Sequence, residues 1–341
     1  MCGSRKYGAR VGRRRKRIAT NVSLDASPFA VPQARPLDCA KFQDPLRTAQ
    51  GDPRAHVTME RLETLWINSG TLCNLFCRTC YIESSPTNDA LVYLTLAEVD
   101  AFLDEAEGLG TREIGFTGGE PFTNPDMVAM MRSALGRGFE VLVLTNAMRP
   151  MRRFEDQLDV LRSELGAALT VRVSLDHYTQ ALHEAERGSN SWAKALDGCQ
   201  WLSDRGFRTA VAGRRLAGES EAVARAGYAR LFAGYGLRID ASDPAALVLF
   251  PEMDAAADVP EVSEACWNLL GVSPASMMCA SSRMVVKRKG APRPVVVACT
   301  LIPYDDQFAL GETLAGAAGA VSLNHPHCAR FCVLGGASCS G

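Results

Sequence analysis

Residues 73–80 read Cys-Asn-Leu-Phe-Cys-Arg-Thr-Cys, and no other stretch limits the fold of this chain as strongly. Three thiolates at the spacing C-x3-C-x2-C can hold three corners of a cube-shaped iron–sulfur cluster. The fourth iron then has no nearby protein ligand and can bind a small molecule. Structural zinc sites normally take four ligands as two separated pairs. A triplet without an adjacent fourth partner favours the cluster, with zinc as the alternative. A loop like this needs a rigid fold to hold it.

The surrounding sequence supplies one. Strand-like runs at 62–68, 113–117, 139–144, 169–175, 207–211 and 246–250 alternate with helical patterns. Thr95 and Glu98 form a capping-box pattern ahead of Val99, Phe102, Leu103 and Ala106 at helical spacing. Met127, Met130, Met131 and Leu135 mark a second helix, and 152–165 and 219–234 two more. Trp192, Ala195, Leu196, Cys199 and Leu202 form a stripe in which Cys199 reads as a core residue. Alternation of this kind implies a parallel sheet with helices outside it. Six units fall short of the eight in a closed barrel, so the expected fold is α/β, a partial (β/α)6 TIM-like barrel. Polar residues gather where strands end: the cysteines after the first, Glu120 after the second, Asn146 after the third, Asp176 after the fourth. Catalytic groups occupy that end in barrel enzymes.

The flanks differ from this core. Residues 1–60 read as a basic, disordered extension, rich in Arg and Lys up to Arg17, followed by a proline-rich lead-in. Residues 61–255 are the expected barrel. From 256 to 341 helices give way to cysteines and short strands, including a hairpin at 285–299, and a smaller cysteine-rich domain is expected there. The net charge of −1 argues against nucleic acid as a partner, and no apolar run is long enough to span a membrane. Twelve cysteines in a long chain with no export signal point to metal ligation in a reducing cytoplasm rather than a disulfide scaffold.

These residues together resemble the radical SAM superfamily. Cys73-x3-Cys77-x2-Cys80 carries the resemblance, supported by Gly118-Gly119-Glu120-Pro121, Thr145-Asn146, Ser174-Leu175-Asp176 and Arg187-Gly188. Thr79 departs from it, standing where many relatives carry an aromatic residue. The resemblance implies that Cys73, Cys77 and Cys80 bind a [4Fe–4S] cluster whose open iron chelates S-adenosylmethionine. It implies that Gly118, Gly119, Glu120 and Pro121 border the methionine amino group, and that Ser174 and Asp176 reach the ribose or methionine. Arg187 would pair with the carboxylate, and Asn146 would form part of the wall. Reductive cleavage to a 5′-deoxyadenosyl radical, which abstracts a substrate hydrogen, is the implied activity, with a low-potential donor such as flavodoxin or ferredoxin as partner.

Beyond residue 256, Cys279, Cys299, Cys328, Cys332 and Cys339 resemble the auxiliary-cluster extensions called SPASM and twitch. Too few cysteines are present for the full SPASM form, so one auxiliary [4Fe–4S] cluster of the twitch type is implied. His325 and His327 beside Cys328 keep zinc as the alternative. A peptide or protein is the substrate such an extension suggests. A small-molecule substrate, or a non-catalytic iron–sulfur redox sensor or electron carrier, is the alternative.

Overall fold

Strands and helices alternate along the computed structural model, which describes residues 27–252 and 254–336. The arginine-rich arm and Cys339 lie outside the described residues. The strands are β1 (His56–Val57), β2 (Thr64–Asn68), β3 (Glu113–Thr117), β4 (Glu140–Thr145), β5 (Leu169–Ser174), β6 (Arg208–Arg214), β7 (Leu247–Phe250), β8 (Ser282–Val286), β9 (Val295–Val297), β10 (Ala309–Gly311) and β11 (Val321–Ser322). The helices are α1 (Leu96–Gly108), α2 (Met127–Gly136), α3 (Arg149–Arg152), α4 (Glu155–Leu165), α5 (Gln180–Arg187), α6 (Ser191–Asp204), α7 (Glu221–Gly234) and α8 (Ala265–Leu270).

Strands β2 to β7 lie side by side in chain order, each parallel to the next. Their sequences explain this. β2 reads Thr-Leu-Trp-Ile-Asn and is buried at all five positions, as strands covered on both faces must be. The helices pack apolar stripes onto the sheet. The α1 capping box is formed by Thr95 and Glu98, and Val99, Phe102, Leu103 and Ala106 are buried. The methionine stripe of α2 and Cys199 on α6 are core. Parallel pairing puts the ends of β2 to β5 on one edge of the sheet.

The sheet does not stop at residue 255. β8 pairs in parallel with β2, from Thr64 opposite Ser282 to Ile67 opposite Val285, and β9 and β10 follow as antiparallel strands. β8 and β9 form the expected hairpin, and all five residues of β8 are buried because its other edge joins the sheet at β2. Arg283, 1% exposed, secures the region behind it by donating to the carbonyls of Cys279, Ser282, Ala317 and Gly319. The ends of the sheet, β10 and β7, are not paired with each other.

The lead-in also differs from an extended segment. From residue 27 onward it packs on the body, with Phe29, Ala55 and Val57 fully buried. Arg54 is buried against Glu261, and β1 pairs with β11. Among the described residues no helix is long and apolar enough to cross a membrane.

A Cβ added to Gly198 on α6 would come 2.0 Å from the carbonyl oxygen of Ala147, which must then move. Gly198→Ala should therefore cost about 1–3 kcal/mol and lower the melting temperature. Gly136→Ala, on α2 with nothing within 4 Å, should raise it slightly, by about 0.5 kcal/mol. Thermal denaturation of the two variants checks the pair.

Candidate functional site

The loop after β2 carries Cys73, Cys77 and Cys80, and all three line one cavity with about 1090 Å³ of empty space including its mouth. The ends of neighbouring strands supply the rest of one wall. Gly118, Gly119 and Pro121 come from the end of β3, Asn146 from β4, Ser174 and Asp176 from β5, and Arg187 from α5. Gly118 sits at φ +142, a backbone conformation that glycine adopts without strain. A Cβ on Gly119 would meet the carbonyl oxygen of Leu72 at 2.4 Å, so the glycine pair lets the cysteine loop lie directly on the β3 turn.

Glu120 does not line the cavity. It is 1% exposed, with its carboxylate hydrogen-bonded among the strand ends. There it accepts from the Asn146 N–H at 2.7 Å, the Thr145 hydroxyl at 2.8 Å and the Phe122 N–H at 3.3 Å. It thereby clamps the end of β4 to the end of β3. Asn146 in turn donates to Asn74 of the cysteine loop at 2.9 Å. Burial raises the Glu120 carboxyl to about 7 even though these donors favour the anion.

Asp176 and Arg187 form a two-point ion pair, with Nε at 2.6 Å from Oδ2 and Nη2 at 3.2 Å from Oδ1. Burial works against the Asp176 anion, but the guanidinium outweighs it and holds the carboxyl below its ordinary value. Behind this pair stands a second group that the sequence did not single out. Glu186, 1% exposed, accepts from the Thr79 N–H at 2.8 Å and the Thr79 hydroxyl at 2.6 Å. It also accepts from the Ser27 hydroxyl at 2.8 Å and pairs with Arg214 at 3.2 Å. Its carbonyl receives the Arg78 N–H. Arg214 further donates to Glu252 at 2.7 Å and lies over the ring of Phe29. Thr79, the departure from the family pattern, is thus a hydrogen-bonding anchor of the loop. His183 is a neutral core histidine, lowered to about 4 by burial and packed edge-on to Trp192.

A second, smaller cavity, with about 390 Å³ of empty space, is lined by Cys279, Cys299, Cys328 and Cys332, together with His327. Residues 328–333 form a π-helix, a rare conformation concentrated at functional sites. Leu301 lines both cavities. Burial pushes the Cys73 and Cys279 thiols up to about 12 and Cys77 to about 11, so metal binding here must displace protons. Among the described residues no three His, Cys, Asp or Glu side chains converge on a single-ion site; the cysteines are spread along cavity walls.

Because burial places the folded carboxyl of Glu120 above its ordinary 4.5, the cost of its charge is absent below that value and complete above about 7. Between pH 5 and 8 the metal-free wild type should lose stability relative to Glu120→Gln, on the order of 3 kcal/mol. Melting temperatures of both proteins across that range test this, and a constant difference would contradict it.

Parts of this chain are similar to known proteins. The family model described as the Radical SAM superfamily matches residues 67–220. The subtilosin biosynthesis protein AlbA of Bacillus subtilis, named for an antilisterial bacteriocin, is 31% identical over 141 residues, 41% of this chain and 30% of its own. The mycofactocin maturase MftC of Mycobacterium ulcerans is 27% identical over 144 residues, 40% of this chain and 36% of its own. The chain therefore spans about a third of the length of these curated relatives. Streptococcus suis SuiB, solved with the precursor peptide SuiA, superposes with a TM-score of 0.55 at 11% identity, over 74% of this chain and 63% of its own.

Proposed function

We propose that this chain, whose residues 67–220 match the Radical SAM superfamily model, binds a [4Fe–4S] cluster through Cys73, Cys77 and Cys80 and uses S-adenosylmethionine to modify a peptide. One observation carries the reading: three thiols and the polar ends of β3, β4 and β5 face the same cavity. The donor set fits the group. All three near ligands are sulfur, and all three line one cavity, as three corners of one cluster require. When bound, the reduced cluster and S-adenosylmethionine supply a hydrogen-abstracting radical.

The chain's own residues bind, orient and shield. Gly118 and Gly119 let backbone approach the methionine amino group, beside Pro121. Glu120 fixes Thr145 and Asn146 in the wall. Ser174 and Asp176 meet the ribose or methionine. Arg187, held by Asp176, turns its other N–H groups toward the carboxylate. Cys279, Cys299, Cys328 and Cys332 hold an auxiliary [4Fe–4S] cluster within the region from 256 to 341. The bacteriocin-biosynthesis relative supports a peptide substrate. A low-potential donor such as flavodoxin or ferredoxin reduces the cluster.

After anaerobic reconstitution and reduction, the protein should convert S-adenosylmethionine to 5′-deoxyadenosine, and Cys77→Ala should abolish this. The wild type should hold about eight irons per chain, and the variant with Cys73, Cys77 and Cys80 all replaced by Ala about four. Undiminished 5′-deoxyadenosine from Cys77→Ala would overturn the first assignment. Near-zero iron in the triple variant would remove the second cluster. Iron without any 5′-deoxyadenosine would leave an electron carrier.

A further inference from the structure

The lining of the larger cavity is chemically mixed. Part of it is polar: the cysteines, residues at the ends of β3 to β5, and the charged Asp176, Glu186, Arg187 and Arg214. Those charges are already engaged: Asp176 with Arg187, and Arg214 with both Glu186 and Glu252. The remainder of the lining is hydrocarbon, from Ile82, Leu144, Phe250, Leu301 and Phe331, with Phe250 the cross-strand neighbour of the already paired Arg214. Phe250 ends β7 and Phe331 belongs to the π-helix, and their rings meet at 5.6 Å across the join between the parallel sheet and the C-terminal region. Tyr304 closes the same join by donating to the Ile82 carbonyl at 2.7 Å.

Electrostatics decides what this part can receive. A charged group entering it would leave water for a wall with no unengaged counter-charge, and such burial is costly. An uncharged hydrocarbon group gains from the same move. We propose that the lobe walled by Phe250, Leu301 and Phe331 is the substrate subsite, and that it accepts an uncharged aliphatic or aromatic side chain of a peptide. This rests on the radical SAM reading for the identity of what fills the polar part.

The lobe's shape depends on the second cavity. Phe331 lies between Cys328 and Cys332 in one π-helix, and Leu301 is two residues from Cys299. Phe331 lines the larger cavity while Cys328 and Cys332 line the smaller one. Cys299, Cys328 and Cys332, if they hold a metal, would fix the backbone beside Leu301 and Phe331.

Four tripeptides, acetyl-Gly-X-Gly-amide with X as Leu, Phe, Lys or Glu, test this by anaerobic calorimetric titration into the reconstituted full chain. Leu and Phe should bind at least about tenfold more tightly than Lys and Glu. Phe250→Glu should reverse the order so that Lys exceeds Leu. Phe250 is only partly buried, which protects that variant against misfolding. Phe331→Ala, the second variant, should erase the preference. Equal binding of all four, binding of none, or an order unmoved by both variants would overturn the proposal. 5′-Deoxyadenosine formation by the wild type is measured in parallel. Its absence with the tripeptide order intact defeats the radical reading alone, and its presence without that order defeats the subsite alone.

Discussion

The cysteine loop depends on one buried carboxylate. Residues 73–80 form no helix or strand, so their backbone groups need partners from elsewhere. Glu186 provides them. Its side chain receives the Thr79 N–H and hydroxyl, its main-chain carbonyl receives the Arg78 N–H, and Arg214 balances its charge. An anion taken out of water is tolerable when it is paired and fully hydrogen-bonded, and Glu186 meets both conditions. The same group ties the loop to α5, to β6 and, through Ser27, to the lead-in. Asp176 and Arg187, the next pair along, inherit their geometry from that anchored helix.

Much of this architecture was legible in the sequence. The six strands from β2 to β7 sit where period and composition put them, because fully buried parallel strands read as apolar runs. Their polar ends were legible for the same reason: a polar residue that closes an apolar run belongs at a sheet edge. α5 was not legible. It is eight residues long and mostly polar, and its role comes from contacts. Glu186 meets Thr79 across 107 positions and Arg214 meets Thr79 across 135, distances at which one sequence carries no pairing signal. Glu120 was found, but not its partners. Pattern reading places it at the wall, and only its three donors tie the carboxylate among the strand ends.

The C-terminal region illustrates a second limit. A short buried strand states that it needs neighbours, not which ones. The β8–β9 hairpin forms as its apolar pattern suggests, and its first strand also joins the parallel sheet beside β2. That pairing brings the second group of cysteines against the first cavity. Leu301 becomes a shared wall, so two sites far apart in the chain meet as neighbours.

The pairing of β2 with β8 also sets an order of events during synthesis. β2 finds β3 on one side as soon as the next helix is made, but its other side waits for a strand roughly two hundred residues later. Until then the nascent chain carries an open, apolar sheet edge, the feature most prone to pairing with a neighbouring chain. The cysteine loop follows directly from that same strand. Its anchor at Glu186 is translated more than a hundred residues after it. The open edge of β2 is thus exposed through most of translation, and the loop gains its anchor only once α5 has been made.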